Sequence, residues 1–409
     1  MQIYALGVFV FTYILIAGPR VPLLPLDRPT GALLGASLMV LGGVMSTSEA
    51  LAAIDWRTIA ILFGMLCISG YFSEAGAFSA LAARLSFLQS RPKQLLIWLV
   101  LGSGALSALL LNDTVCLMLV PLLVALIKAA KLPPKPYLFA LAISANVGGV
   151  VTFTGNPQNM IVGARAHITY ADYSLKMMPI GILSLGVTIV MLLWFFRREL
   201  QPPSETPTKA PMPEIDGVLL YKAGAVMALV MLAFLLGYDQ AGVAVLGASV
   251  LITIAKRPPR TFIERIDWPL LLFFSALFVV VHGVEASGAT KAAAGWVVGL
   301  LAQPPAIAVP LFAGASLIGS NIFSNVPFVL VVSGWLEQAP NADIYWRTLA
   351  MSATFAGNLT LLGSVANLIV FEGGKEVAEV SFWEYLRVGL PITLVTTAIG
   401  VLGILLING

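Results

Sequence analysis

The sequence predicts an all-α polytopic membrane protein built from two inverted repeats of about five transmembrane helices. Each repeat is expected to carry a re-entrant hairpin and a broken helix. Three observations predict this. The chain is 59% hydrophobic and only 11% charged, with a mean hydropathy of +0.93, whereas soluble domains carry about 25% charged residues. Apolar runs long enough to cross a bilayer recur throughout. Finally, the chain repeats itself at one offset. Leu34-Gly35-Ala36-Ser37 returns as Leu246-Gly247-Ala248-Ser249, Asp55-Trp56 as Asp267-Trp268, Gly76 as Gly288, Tyr173 as Tyr385 and Pro179 as Pro391, all shifted by 212.

In chain order, the apolar runs predict helices near 3–18, 30–46, 56–73, 136–163 and 176–196, and again near 218–236, 239–255, 268–284, 345–371 and 388–407. The first run, Ile3 to Ala17, lacks a basic leader and reads as a retained helix. Residues 95–130 and 305–336 are each two apolar arms around a polar triplet, Asn112-Asp113-Thr114 and Ser324-Asn325-Val326. Irregular backbone at membrane depth is tolerated only where protein or a cavity satisfies it, so a hairpin with a buried tip fits better than two crossings. The stretches 136–163 and 345–371 are interrupted by "TFTGNPQNMIVG" and "LLGSVANLIVF". Pro157 cannot continue a backbone ladder, and Gly155 permits unusual φ. The first repeat is therefore placed at 1–196 and the second at 218–409, joined by a proline-rich linker, 197–217.

With the hairpins not crossing, the second repeat is inverted. Seventeen Lys and Arg residues, among them Arg28, Arg84, Arg91, Lys128, Lys135, Arg197, Arg198, Lys209, Arg260 and Arg387, then share one face. Arg57, Arg165, Lys176, Lys291 and Arg347 share the other. That asymmetry orients the crowded face to the cytoplasm and both termini outside. The acidic run from Glu372 to Glu384 then reads as a cytoplasmic solvated loop.

Composition excludes other classes. A net charge of +3 is too small for nucleic-acid binding. Cys67 and Cys116 lie in apolar runs and read as buried thiols. No phosphate-binding loop is present, so the energy source is expected to be an ion gradient. No nucleophile–base or metal-ligand set appears, Gly102-Ser103-Gly104 included, so no enzyme activity, cofactor or metal is expected.

Inverted repeats with broken helices are the architecture of secondary transporters, whose sites lie where the broken elements meet. Asp113 is the candidate coupling residue, for a proton or Na⁺, because a carboxyl flanked by apolar residues at membrane depth must line a wet cavity or meet a cation. Capping of the following helix is its competing role. At offset 212 its partner is Asn325, which cannot titrate. The candidate substrate-binding residues are Asn112, Thr114, Thr154, Gly155, Asn156, Gln158, Asn159, Ser324, Asn325, Gly363, Ser364 and Asn367. They offer uncharged hydrogen-bonding groups beside helix ends, which suit an oxyanion or a hydroxylated ligand. Ser144, Asn146, Asn358 and Thr360 read as helix-packing residues, and His282 and Glu285 as interfacial. No Arg or Lys is expected at the site, which weighs against a dianion.

"LNDTVCLMLVPLL", "TFTGNPQNMIVG", "SNVPFVLV" and "LLGSVANLIVF" together resemble the ion transporter superfamily: arsenite permeases, sodium/proton antiporters and divalent anion/sodium symporters. The Asn112-Asp113 tip is similar to the arsenite permeases, whereas the symporters carry Ser-Asn-Thr at both tips. The resemblance implies proton-coupled export of a small oxyanion or metalloid hydroxide, arsenite or antimonite first, from a prokaryotic plasma membrane. A sodium-coupled importer of sulfate or dicarboxylate and a sodium/proton antiporter are the alternatives. Symporters of this superfamily form dimers, which makes a homodimer the assembly to test.

Overall fold

Proline and capping carboxylates set where about half of the helices begin. The computed structural model describes residues 1–17, 27–202, 214–258, 266–336, 339 and 342–408, and among these it contains helices and no strand. In the first half these are α1 (Gln2–Ala17), α2 (Arg28–Leu41), α3 (Thr47–Ala52), α4 (Trp56–Glu74), α5 (Ala77–Ser86), α6 (Pro92–Leu109), α7 (Asn112–Ala130), α8 (Pro134–Gly149), α9 (Pro157–Arg165) and α10 (Tyr170–Phe195). In the second half they are α11 (Gly217–Leu235), α12 (Gln240–Ala255), α13 (Trp268–Ala286), α14 (Lys291–Leu301), α15 (Pro305–Phe323), α16 (Asn325–Leu336), α17 (Ala342–Ala356), α18 (Val365–Gly373) and α19 (Phe382–Asn408). Four aspartates at repeat-related positions act as N-caps: Asp27 and Asp239 accept from the Thr30 and Gly242 N–H groups, and Asp55 and Asp267 from those of Thr58 and Leu270. Among the described residues, eight helices are long and apolar enough to cross a membrane.

The helix ends differ from expectation in three places. Helices α5 and α14 precede the two hairpins and were not anticipated, because their short amphipathic pattern is masked by flanking apolar sequence. Helices α10 and α19 begin six residues before 176 and 388, since the Thr169 hydroxyl caps α10 through the Asp172 N–H. Finally, 30–46 ends at Leu41, and Ser46 with Glu49 forms a capping box that opens α3.

The two halves are intertwined. Helix α2 packs on α13 and α4 on α12, so each half lends a helix to the other's wall. Helix α7 packs on α18 and α16 on α9, so each hairpin meets the broken helix of the opposite half. Two ion pairs follow the same relation: Lys135 donates to Glu384 at 2.6 Å, and Arg347, 212 residues later, to Asp172, 212 residues earlier.

The hairpin tips end inside the protein. The Thr152 hydroxyl donates to the Ala108 carbonyl at 2.5 Å, and the Asn321 amide to the Ala356 carbonyl at 2.9 Å. Close approach demands glycine here: a Cβ on Gly148 would sit 2.1 Å from the Gly104 carbonyl oxygen, and one on Gly155 2.3 Å from that of Gly149. Two residues, Leu110 and Leu111, turn the first hairpin in extended conformations. Ser324 alone turns the second, at φ 66° and ψ 151°, a region normally left to glycine.

Candidate functional site

A cavity of about 280 Å³ lies where both hairpin tips meet both helix breaks. It is lined by the first turns of α2, α7, α9, α13, α16 and α18, so six helix N-termini converge on it. Each presents the positive end of a helix dipole. Helices α2, α9, α13 and α18 are capped by the side chains of Asp27, Asn156, Asp267 and Ser364. Helix α7 has no capping side chain, so its N–H groups remain available to a ligand.

Of the predicted residues, Asn112, Asp113, Gln158, Ser324, Asn325 and Ser364 line this cavity. Thr114 lines a neighbouring, more apolar cavity, and Asp113 borders both. Asp113 stands in the first turn of α7 but supplies no cap to it. Its carboxylate instead faces the Arg28 guanidinium, the Asp267 carboxylate and the Ala366 backbone N–H at the start of α18. The uncapped start of α7 therefore carries an acid aimed across the repeat boundary.

Thr154, Gly155, Asn156, Asn159, Gly363 and Asn367 lie outside the lining and form the scaffold behind it. The Asn159 amide donates to the Gly149 and Thr152 carbonyls at 3.0 and 3.2 Å. The Asn367 amide donates to those of Gly357 and Thr360 at 2.6 and 3.1 Å. These bonds fill the carbonyls that each helix break releases. The Thr154 hydroxyl pairs with Thr152 and Tyr170. The Asn156 amide reaches the Thr354 hydroxyl at 3.1 Å, which in turn donates to the Asn159 side-chain oxygen at 3.2 Å.

Asn146 does more than pack helices. Its side-chain oxygen accepts from Asn112 and from Ser364, both at 3.0 Å, and its amide donates to Asn358 at 2.9 Å and Asn367 at 3.1 Å. One amide thus ties the first hairpin tip to the second broken helix. With Asn146 holding the Asn112 amide, the Asn112 side-chain oxygen is buried and has no partner; the Asn325 side-chain oxygen is likewise buried and unpartnered. Both residues open a hairpin helix, α7 or α16. The structural counterpart of Asn112 is therefore Asn325, and Asp113 aligns with Val326, one residue off the 212 pairing.

Sequence reasoning missed three charged residues. Arg28, Asp27 and Asp267 all line the cavity, which overturns the expectation of a site without Arg or Lys. Arg28 was counted with the cytoplasmic loops; it is the half-buried first residue of α2, facing Asp113. The available signal was the capping pattern, because Asp27 and Asp239 are 212 residues apart and each opens a repeat-related helix. The lining holds three acids and one base.

Intertwined halves, interrupted helices and a polar cavity at their junction define a secondary transporter, a multi-pass membrane protein. Residues 11–356 match the citrate transporter family CitMHS, and the chain belongs to that family within the ion transporter superfamily. The chain is 30% identical to the silicon efflux transporter LSI3 of Oryza sativa subsp. japonica, over 97% of this chain and 96% of that protein. It is also 30% identical to a 46 kDa membrane protein of Mycobacterium leprae, over 98% and 97%. The putative transporter arsB of Dictyostelium discoideum is 26% identical over 94% and 88%. The crystal structure of the Alcanivorax borkumensis YdaH transporter shares the fold, with a TM-score of 0.60 at 16% identity, covering 99% of this chain and 97% of that one.

Proposed function

We propose that this protein exports a small, neutral metalloid hydroxide in exchange for protons across a prokaryotic plasma membrane, with arsenite and antimonite as first candidates and silicic acid as a third. The observation that carries the reading is the pair of unpartnered buried side-chain oxygens of Asn112 and Asn325 beside the Asp113 carboxylate. These atoms accept hydrogen bonds and so want a ligand that brings O–H groups. The open N-terminus of α7 and the Arg28 guanidinium supply donors to the same ligand's oxygens. A free polyanion such as citrate suits a lining of three acids and one base poorly. The names of the silicon and arsB relatives point the same way.

Coupling follows from Asp113. As a carboxylate it accepts a ligand hydroxyl strongly; protonation removes its charge, turns one oxygen into a donor and leaves a weaker acceptor, so ligand and proton compete for one group. Competition is what antiport requires, and the proton-loaded and ligand-loaded forms would favour opposite access states. An anionic ligand beside Asp113 would instead favour its protonation and give cotransport. The repeats at 1–196 and 218–409, with an intervening linker whose residues 203–213 lie outside the described ones, would rock about this site with both termini outside.

The test is arsenite flux in everted vesicles under an imposed pH gradient, without Na⁺. Asp113→Asn is expected to abolish gradient-driven flux while the protein still inserts and folds; unchanged flux would overturn the assignment. A sodium reading also has a specific basis, since two amide oxygens and nearby carboxylates can ligate Na⁺. Strict Na⁺ dependence of flux, or Na⁺/H⁺ exchange without metalloid, would favour it.

A further inference from the structure

A second cavity, of about 310 Å³, sits at the end of α10 and is lined by Trp194, Phe195, Arg197, Arg198 and Arg387. Arg197 and Arg198 follow the C-terminus of α10, and Arg387 comes from the second turn of α19 in the other half. Among the described residues none of the three guanidinium groups has an ion pair, and the nearby Glu384 is committed to Lys135, from which it accepts at 2.6 Å. Glu199 stands beside that pair. A helix C-terminus accounts for cations at 197 and 198, but not for a third guanidinium brought in from α19. All three are exposed, so water screens much of their mutual repulsion, but three guanidinium groups converging on one cavity leave a local positive potential that attracts an anion.

The surroundings indicate what anion. Helix α10 spans the membrane, and Trp194 and Val190 on it are 60% and 66% exposed, so this flank faces acyl chains. Trp383 is 75% exposed at the start of α19, on the same face by the charge asymmetry. Tryptophans at this level mark a headgroup interface. Guanidinium groups fork onto phosphate oxygens, and basic pockets between helices on the cytoplasmic side suit anionic headgroups.

We propose that Arg197, Arg198 and Arg387 form a binding site for the phosphate group of an anionic lipid in the inner leaflet, with Trp194 and Phe195 against its glycerol and upper acyl chains. The site joins α10 to α19 across the two halves. It is independent of the transported substrate.

The probes are phosphatidylglycerol in phosphatidylcholine nanodiscs, and inorganic phosphate in phosphatidylcholine alone. The wild type is expected to melt higher with phosphatidylglycerol present and to retain it in native mass spectrometry. Arg197→Gln/Arg198→Gln/Arg387→Gln is expected to lose that gain and to retain the lipid about tenfold less, while melting as the wild type does in phosphatidylcholine. If the triple variant does not fold, Arg387→Lys keeps the charge, removes the fork and should lose most of the gain. Full lipid-dependent protection in these variants would overturn the proposal. Equal protection by millimolar inorganic phosphate would overturn its lipid part.

Discussion

Removing Asp172 and removing Glu384 are symmetric acts on the two halves, yet they should differ several-fold in cost. Asp172 pairs with Arg347 and Glu384 with Lys135, in positions related by the repeat. The side chain of Arg347 is 2% exposed, whereas Lys135 and Glu384 are 35% and 38% exposed. Breaking a buried pair costs about 3–5 kcal/mol, because the remaining charge stays buried without its partner. Asp343 at 4.0 Å remains near Arg347, and Asp172 is itself 39% exposed. These soften the loss, so Asp172→Asn should cost about 2–3 kcal/mol. Glu384→Gln should cost about 0–1 kcal/mol, the range for solvated pairs. Thermal unfolding of the two variants in one detergent, followed by tryptophan fluorescence, gives the comparison. A loss for Glu384→Gln as large as that for Asp172→Asn would refute the argument that burial sets the cost, and so would a loss below about 1 kcal/mol for Asp172→Asn.

Other outcomes follow from single contacts. Ser324→Gly should raise stability by about 1 kcal/mol in the same assay, by relieving the positive φ at the second hairpin turn. Gly148→Ala should destabilise by at least about 1–3 kcal/mol, since its Cβ would meet the Gly104 carbonyl, while Gly186→Ala, with open space around it, should be neutral or slightly stabilising. Asn325→Ala should weaken arsenite transport about tenfold or more, the loss of one well-placed hydrogen bond, with little change in unfolding temperature. The Gly242 N–H first, and then Arg57, hold the Asp239 carboxyl below its usual value of 3.8. Its stabilising contribution should therefore be full at neutral pH and fall away only as pH drops below that value. The melting difference between wild type and Asp239→Asn, measured from about pH 7 to about pH 3, should shrink only at the acid end.

Much of the fold was legible because its causes are local. Apolar length, proline position and aspartate caps define helices within a few residues, and the 212 offset exposes the duplication directly. The missed helices, α5 and α14, are too short for periodicity to separate from the adjacent hairpin arms. At the site, residue chemistry was a partial guide. Polar residues in an apolar chain do mark the breaks, but four of them, Thr154, Asn156, Asn159 and Asn367, are spent on the scaffold behind the cavity. Asn112 and Asn325 keep an unpartnered oxygen.

The sequence by itself therefore determined the class of protein, the repeat, the two hairpin tips and the two breaks, because each depends on neighbours a few residues away or on direct self-similarity. Tertiary structure alone decided that Arg28 and Asp267 face Asp113, and that Asn146 holds the Asn112 amide. Those contacts join residues from different helices, brought together by intertwined halves. Which polar atoms remain unsatisfied depends on the whole packed arrangement, and it is those atoms that define what the cavity can hold.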